Sequence, residues 1–117
     1  MDIESIRDYC LEKNAVTEGL PFGNDVLVFK VAGKMFLLAS LDEQPLWMNL
    51  KCDPEKAIDL RERYDSIRPG YHMSKIHWNT VEVNGELQPE LIQELIDNSY
   101  DLVVAKLTKK TKEKFFL

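Results

Sequence analysis

The segment from Arg68 to Thr80, RPGYHMSKIHWNT, holds both histidines, one of the two tryptophans, a tyrosine, an arginine, a lysine and an asparagine. Such side chains stack, donate hydrogen bonds and contact anions; a segment built only for packing would carry Val, Ile and Leu. His72 and His77 raise metal binding first. Two imidazoles fall short of the three or four ligands of a zinc site, and no Cys pair or HExxH spacing completes a set. Neither a metal nor a cofactor is expected. Cys52 precedes Asp53-Pro54 at a helix start, where a thiol pKa can fall. The neighbouring Asp53 carboxylate opposes that shift, and Cys-His catalysis would also need an imidazole within reach. Glu55, Asp59, Glu62 and Asp65 interleave with Lys56, Arg61 and Arg63 at helical spacing, the pattern of a solvated, ion-paired face. GxGxxG, GxxxxGK[ST] and GxSxG are absent from the sequence. The expectation is a noncatalytic recognition edge.

The elements that position this edge follow from periodicity and punctuation. Asp2 caps a helix over 2–13, with Ile3, Ile6 and Cys10 on one stripe. Gly19, Pro21, Gly23 and Asn24 mark residues 15–25 as a loop. Residues 25–32 and 34–41 form a hairpin about Gly33, and 46–51 a third strand. Asp53-Pro54 starts a helix that runs to about Tyr64, with Ala57, Ile58 and Leu60 or Arg61 inward. Pro69-Gly70 breaks the chain. Strands are then expected over 71–73 and 76–83, joined by a Ser-Lys turn and closed by Asn84-Gly85. A long last helix starts near Pro89, with Leu91, Ile92, Leu95, Ile96, Val103 and Leu107 at three- and four-residue spacing. Within it, small Ser99 suits close packing and Tyr100 anchors the helix.

This order, α-β(3)-α-β(2)-α, is that of an α+β fold: a mostly antiparallel five-stranded sheet with helices on one face. Strand alternation puts Trp47, Asn49 and Lys51 on one face of the third strand. It likewise groups Trp78, Thr80 and Glu82 opposite Asn79, Val81 and Val83. Two outward tryptophans beside Lys51 would make a stacking or docking platform; the alternative packs one or both under the 14–24 loop or the C-terminal tail.

One domain over 1–117 suits a chain of 117 residues. A net charge of −5 opposes nucleic-acid binding by the whole surface. Lys106, Lys109, Lys110, Lys112 and Lys114 crowd the C-terminus, where cations complement a helix dipole. No apolar run is long enough to span a bilayer, and Cys10 and Cys52 fit free thiols in a reducing compartment. A cytoplasmic monomer or weak dimer is expected.

Taken together, Lys51-Cys52-Asp53-Pro54, Pro69-Gly70-Tyr71-His72-Met73, Lys75-Ile76-His77-Trp78 and Ser99 to Val103 resemble the MmcQ/YjbR family of small bacterial proteins. The helix at the N-terminus and the Gly19 to Gly23 loop fit as well. The resemblance implies a two-layer fold related to secretion-chaperone-like and CyaY-like sheets, and a DNA-binding role. On that footing nucleic acid would meet a local footprint of Lys51, Arg68, Tyr71, His72, Lys75, His77, Trp78 and Asn79. The cations would contact phosphates and the aromatics would stack on bases. A protein partner docked on the sheet face around Trp47, Asn49 and Trp78 is the alternative. A small-ligand or metal site near His72 and His77 is the third.

Overall fold

In the computed structural model, which describes residues 1–116, helix α1 (Ile3–Leu11) is capped as its sequence demands. The Asp2 carboxylate accepts the Ser5 N–H at 2.9 Å, and the Ser5 hydroxyl accepts the Asp2 N–H at 3.0 Å. Six strands follow in the sheet order β1-β2-β3-β4-β6-β5, every neighbouring pair antiparallel. They are β1 (Val16–Gly19), β2 (Val26–Val31), β3 (Lys34–Ser40), β4 (Trp47–Lys51), β5 (Ile67–Pro69) and β6 (Trp78–Glu82). Helix α2 (Pro54–Arg63) separates β4 from β5, and α3 (Pro89–Ala105) and α4 (Lys109–Phe116) close the chain. The architecture is α+β, with a six-stranded rather than five-stranded sheet.

Four expectations are corrected. The 15–25 loop contains the edge strand β1, which its Gly and Pro neighbours concealed. The strand expected at 71–73 is instead the three residues Ile67–Pro69, and 70–77 is a loop. Pro69 fits an edge strand, where its missing N–H breaks no ladder bond. The last helix is two, broken between Ala105 and Lys109. In α2, Ala57 and Leu60 are buried while Ile58 is exposed, so the inward stripe is narrower than expected.

The core lies between the inner face of the sheet and α1, α2 and α3. Phe29, Val31, Phe36, Leu37, Met48 and Val81 from the strands meet Ile6, Cys10, Ala57, Ile92 and Ile96 from the helices, all at 1% exposure or less. One irregularity decides what faces outward. Phe29 pairs with Leu37 and Lys30 with Met35, so Phe36 is an extra residue, a β-bulge. Phe36 and Leu37 therefore both enter the core, and Met35 and Leu38 both turn to the outer face. The Phe36 carbonyl, freed from the ladder, accepts a hydrogen bond from the buried Ser99 hydroxyl at 2.6 Å. Ser99 Oγ in turn accepts the Lys51 N–H at 2.8 Å. Tyr100 completes the joint, with its ring edge-on to Phe36 at 5.5 Å and its hydroxyl donating to the Asn14 carbonyl.

Candidate functional site

The registers Trp47↔Glu82, Asn49↔Thr80 and Lys51↔Trp78 put these six residues on the outer face, as alternation requires. Exposure divides them. Trp78 is 9% exposed, packed with Val28 and Leu38 under Met73. Trp47 is half-buried, and its ring meets Tyr71 edge-on at 5.8 Å. Asn49 and Thr80 lie between the two indoles and are buried. The exposed tryptophan pair is thus not formed. Its cover is the 70–77 loop rather than the 14–24 loop or the tail.

That loop is tied down at several points. Gly70 N–H donates to the Trp78 carbonyl at 2.9 Å, and Trp78 N–H donates to the Ser74 carbonyl. Gly70 is needed for the close approach: a Cβ there would stand 2.8 Å from Trp78 Cβ. Tyr71, Thr80 and Asn49 close a ring of hydrogen bonds. Tyr71 N–H donates to Thr80 Oγ1, the Thr80 hydroxyl to Asn49 Oδ1 at 2.6 Å, and Asn49 Nδ2 back to the Tyr71 carbonyl at 3.0 Å. Buried polar groups on the sheet are satisfied this way, and the Tyr71 backbone is held in one place. His72 follows with φ of 59°, in the left-handed region that His enters more readily than most residues. Its ring lies 4.0 Å from that of Tyr71.

Between this loop, the 20–25 turn and the strands opens a cavity of about 290 Å3. Val26, Met35 and Leu38 form its apolar floor, with Trp47, Tyr71 and Phe22 as aromatic walls. Phe22 and Tyr71 are 61% and 54% exposed. Of the residues expected to bind, Trp47, Asn49, Tyr71 and His72 meet at this cavity. Lys51 and Trp78 border a neighbouring one. His77 is exposed beyond the loop, its carbonyl accepting the Cys52 N–H. Arg68 pairs with Glu82 at 2.9 Å, and the Lys75 amine donates to the Gly70 carbonyl at 2.9 Å.

Asn79 is corrected outright. It is 2% exposed, opposite Leu50 on the core side, and accepts the Arg61 Nε–H at 2.7 Å. Asn79 Nδ2 and Asn98 Oδ1 have no partner among the described residues, and both line a 10 Å3 cavity beside Cys52. The sequence places Arg61 on a solvated ion-paired face, with the inward stripe of α2 as its alternative. It instead reaches the loop, donating to the carbonyls of Lys75 and Trp78 as well as to Asn79. Phe22, Met35 and Leu38 carry no signal of a site in the sequence; only the bulge at Phe36 reveals that Met35 and Leu38 share a face.

For chemistry the site offers little nucleophilic power. Burial pushes the Cys52 thiol up, with Asp53 adding to it against Lys56 and Arg61. Among the described residues no three His, Cys, Asp or Glu side chains are grouped to hold a metal ion. The arrangement offers an apolar floor and aromatic walls against which an apolar group can rest.

Comparison with known proteins gives a consistent picture. A family model described as YjbR matches residues 11–102. Protein YbdF of Escherichia coli O157:H7 is 39% identical over 111 residues, 95% of this chain and 91% of YbdF. Protein YjbR of E. coli K12 is 29% identical over 113 residues, 97% and 96% of the two chains. The crystal structure of Deinococcus radiodurans protein DR2400 superposes with a TM-score of 0.92 at 38% identity, covering 96% of this chain and 86% of that one. A crystal structure from Pseudomonas syringae gives 0.76 at 29%, covering 87% and 98%.

Proposed function

This chain belongs to the YjbR family, and from that premise and the outer-face geometry we propose that it is a noncatalytic binding module for a protein partner, seating one apolar side chain in the cavity bounded by Phe22, Trp47 and Tyr71. The observation that carries this is the apolar cavity with an exposed aromatic rim. Exposed Phe22 and Tyr71 beside a floor of Val26 and Leu38 share the anatomy of interface hot spots: aromatic anchors around an apolar pocket that a partner would desolvate. A cavity of about 290 Å3 is at the small end for a ligand pocket. It suits a single Leu, Met or Phe side chain.

Two cations assigned to a nucleic-acid footprint are already engaged, Arg68 by Glu82 and Lys75 by a carbonyl. That weakens the case for a phosphate track here. No helix among the described residues is long and apolar enough to cross a membrane. A cytoplasmic place belongs to the same proposal, supported by two buried free thiols, Cys10 and Cys52.

The test is selection from a displayed peptide library, followed by fluorescence anisotropy with the selected peptides and with single- and double-stranded DNA and RNA at low salt. Binders enriched in one large apolar residue, and lost on Tyr71→Ala and Phe22→Ala, are the expected result. Peptides indifferent to both substitutions, or nucleic-acid binding with no peptide binding, would overturn it.

A further inference from the structure

A second cavity, of about 230 Å3, opens where the end of α3 meets β3 and β4. Lys34, Lys51 and Lys106 line it, above apolar Trp78, Val103 and Leu107. The three lysines come from three elements: Lys34 begins β3, Lys51 ends β4 and Lys106 caps α3. None belongs to the four ion pairs found among the described residues. The chain has 20 acidic residues and a net charge of −5, so carboxylates are plentiful. None of them lines this cavity.

Gathering like charges without a counter-ion raises the free energy of the site. Lys51 records that cost: burial lowers its pKa, and the charge of Lys106 lowers it further. The C-terminal dipole of α3 accounts for Lys106 alone. Lys51 is half-buried at a strand end, with its backbone N–H held by Ser99, so the joint that fixes the bulge also fixes the backbone from which the Lys51 side chain leaves. Lysines are compact, rotatable point charges, suited to any small anionic head.

We propose that this cleft binds a small amphiphilic anion, with a carboxylate or phosphate head held by Lys34, Lys51 and Lys106 and an apolar body about one ring in size resting on Trp78, Val103 and Leu107. The site does not depend on what the outer-face cavity takes, although Met35 lines both.

The test uses the full chain carrying Trp47→Phe, which leaves Trp78 as the only indole. Benzoate, phenyl phosphate, inorganic phosphate and benzamide are titrated against its emission. Benzoate and phenyl phosphate are expected to give saturable shifts that weaken with salt, and neutral benzamide none. Lys51→Met keeps the stem and removes the charge. It is expected to raise Kd about tenfold, the effect of losing one charge-assisted contact, while its thermal midpoint stays at or above that of the parent because an unpaired charge is gone. Lys106→Met repeats the loss of affinity at an exposed position that cannot unfold the core. The assignment is overturned if benzamide titrates like benzoate, if both lysine variants keep the parent Kd, or if neither organic anion gives a saturable shift. It is also overturned if inorganic phosphate binds as tightly as phenyl phosphate, since the apolar body would then contribute nothing.

Discussion

On the inner face of the sheet Phe29, Leu37 and Met48 lie fully buried beneath helices, whereas on the outer face β2 and β3 set Val28 and Leu38 beneath loops and beside an open cavity. The strands are the same; the cover differs. A helix presents a regular apolar stripe that can close a face completely, as Ile92, Ile96 and Val103 of α3 do. A loop covers only where its own backbone bonds hold it. The 70–77 loop packs Met73 over Trp78, and its residues Tyr71, His72 and Met73 border the cavity that it leaves open. Substitutions should therefore divide by face: inner ones cost stability, rim ones cost binding.

Phe36→Ala should have the largest effect. The ring is fully buried and packs edge-on against Tyr100. Its removal should destabilise the protein by about 3–5 kcal/mol in urea denaturation. A loss near 1 kcal/mol would mean that the bulge is not a core joint. Ser99→Ala should follow, at about 2–4 kcal/mol, since it strands the Phe36 carbonyl and the Lys51 N–H together. Ser99→Gly, which strands the same groups, should be at least as damaging.

On the outer face, Gly70→Ala tests the loop cover. Its Cβ would press on Trp78 Cβ at 2.8 Å and on the Trp78 carbonyl at 3.0 Å. The strain should cost about 1–3 kcal/mol, and should raise the solvent exposure of the indole, seen as a red shift in the emission of the Trp47→Phe background. An unshifted spectrum would show that the loop relaxes away without releasing Trp78. Trp78→Ala, by contrast, is a poor probe of docking, because it empties a packed cluster.

How far these contrasts could be read beforehand depends on how local their causes are. Asp2, Asp53-Pro54 and Pro89 signal helix starts through neighbours a few residues away, and all three helices begin where those residues predict. Alternation alone correctly places Trp47, Asn49 and Lys51 with Trp78 and Thr80. It does not place Met35 with Leu38, because the extra residue at Phe36 is stabilised by Ser99, 63 positions further on. Ile67–Pro69 was hidden because three residues are too few to show a period. The role of Arg61 was hidden because its partners, Asn79 and the Lys75 and Trp78 carbonyls, are joined to it only through the fold.

The inner face also has an alkaline signature. Burial pushes the Cys10 thiol up to about 12. The unfolded chain, with a thiol near its ordinary value of 9.0, loses its proton first as pH rises. Stability contributed by this buried neutral thiol is full below that ordinary value and falls as pH climbs toward 12. The loss should reach roughly 1 kcal/mol by pH 10. Tyr9, raised by burial and by its bond to Asp97, pulls in the same direction. Comparing Cys10→Ala with the parent from pH 7 to pH 10 isolates the thiol, and the variant should show the shallower decline. Equal slopes would remove Cys10 from the account.

Tyr71→Ala should have the smallest effect on stability and carries the most weight for the comparison. The side chain is 54% exposed, and the bonds that fix this residue all run through its backbone, from its N–H to Thr80 and from Asn49 to its carbonyl. Alanine keeps both bonds, and φ at this position is not in the left-handed region. What goes is the edge-on contact with Trp47, the contact with the exposed His72 ring and one wall of the cavity. The unfolding free energy should change by no more than about 0.5 kcal/mol, as for a surface substitution, while capture of apolar-anchored peptides is lost. If Tyr71→Ala instead destabilised the protein as Phe36→Ala does, the ring would be part of a closed core, and the outer face would differ from the inner one only in what covers it.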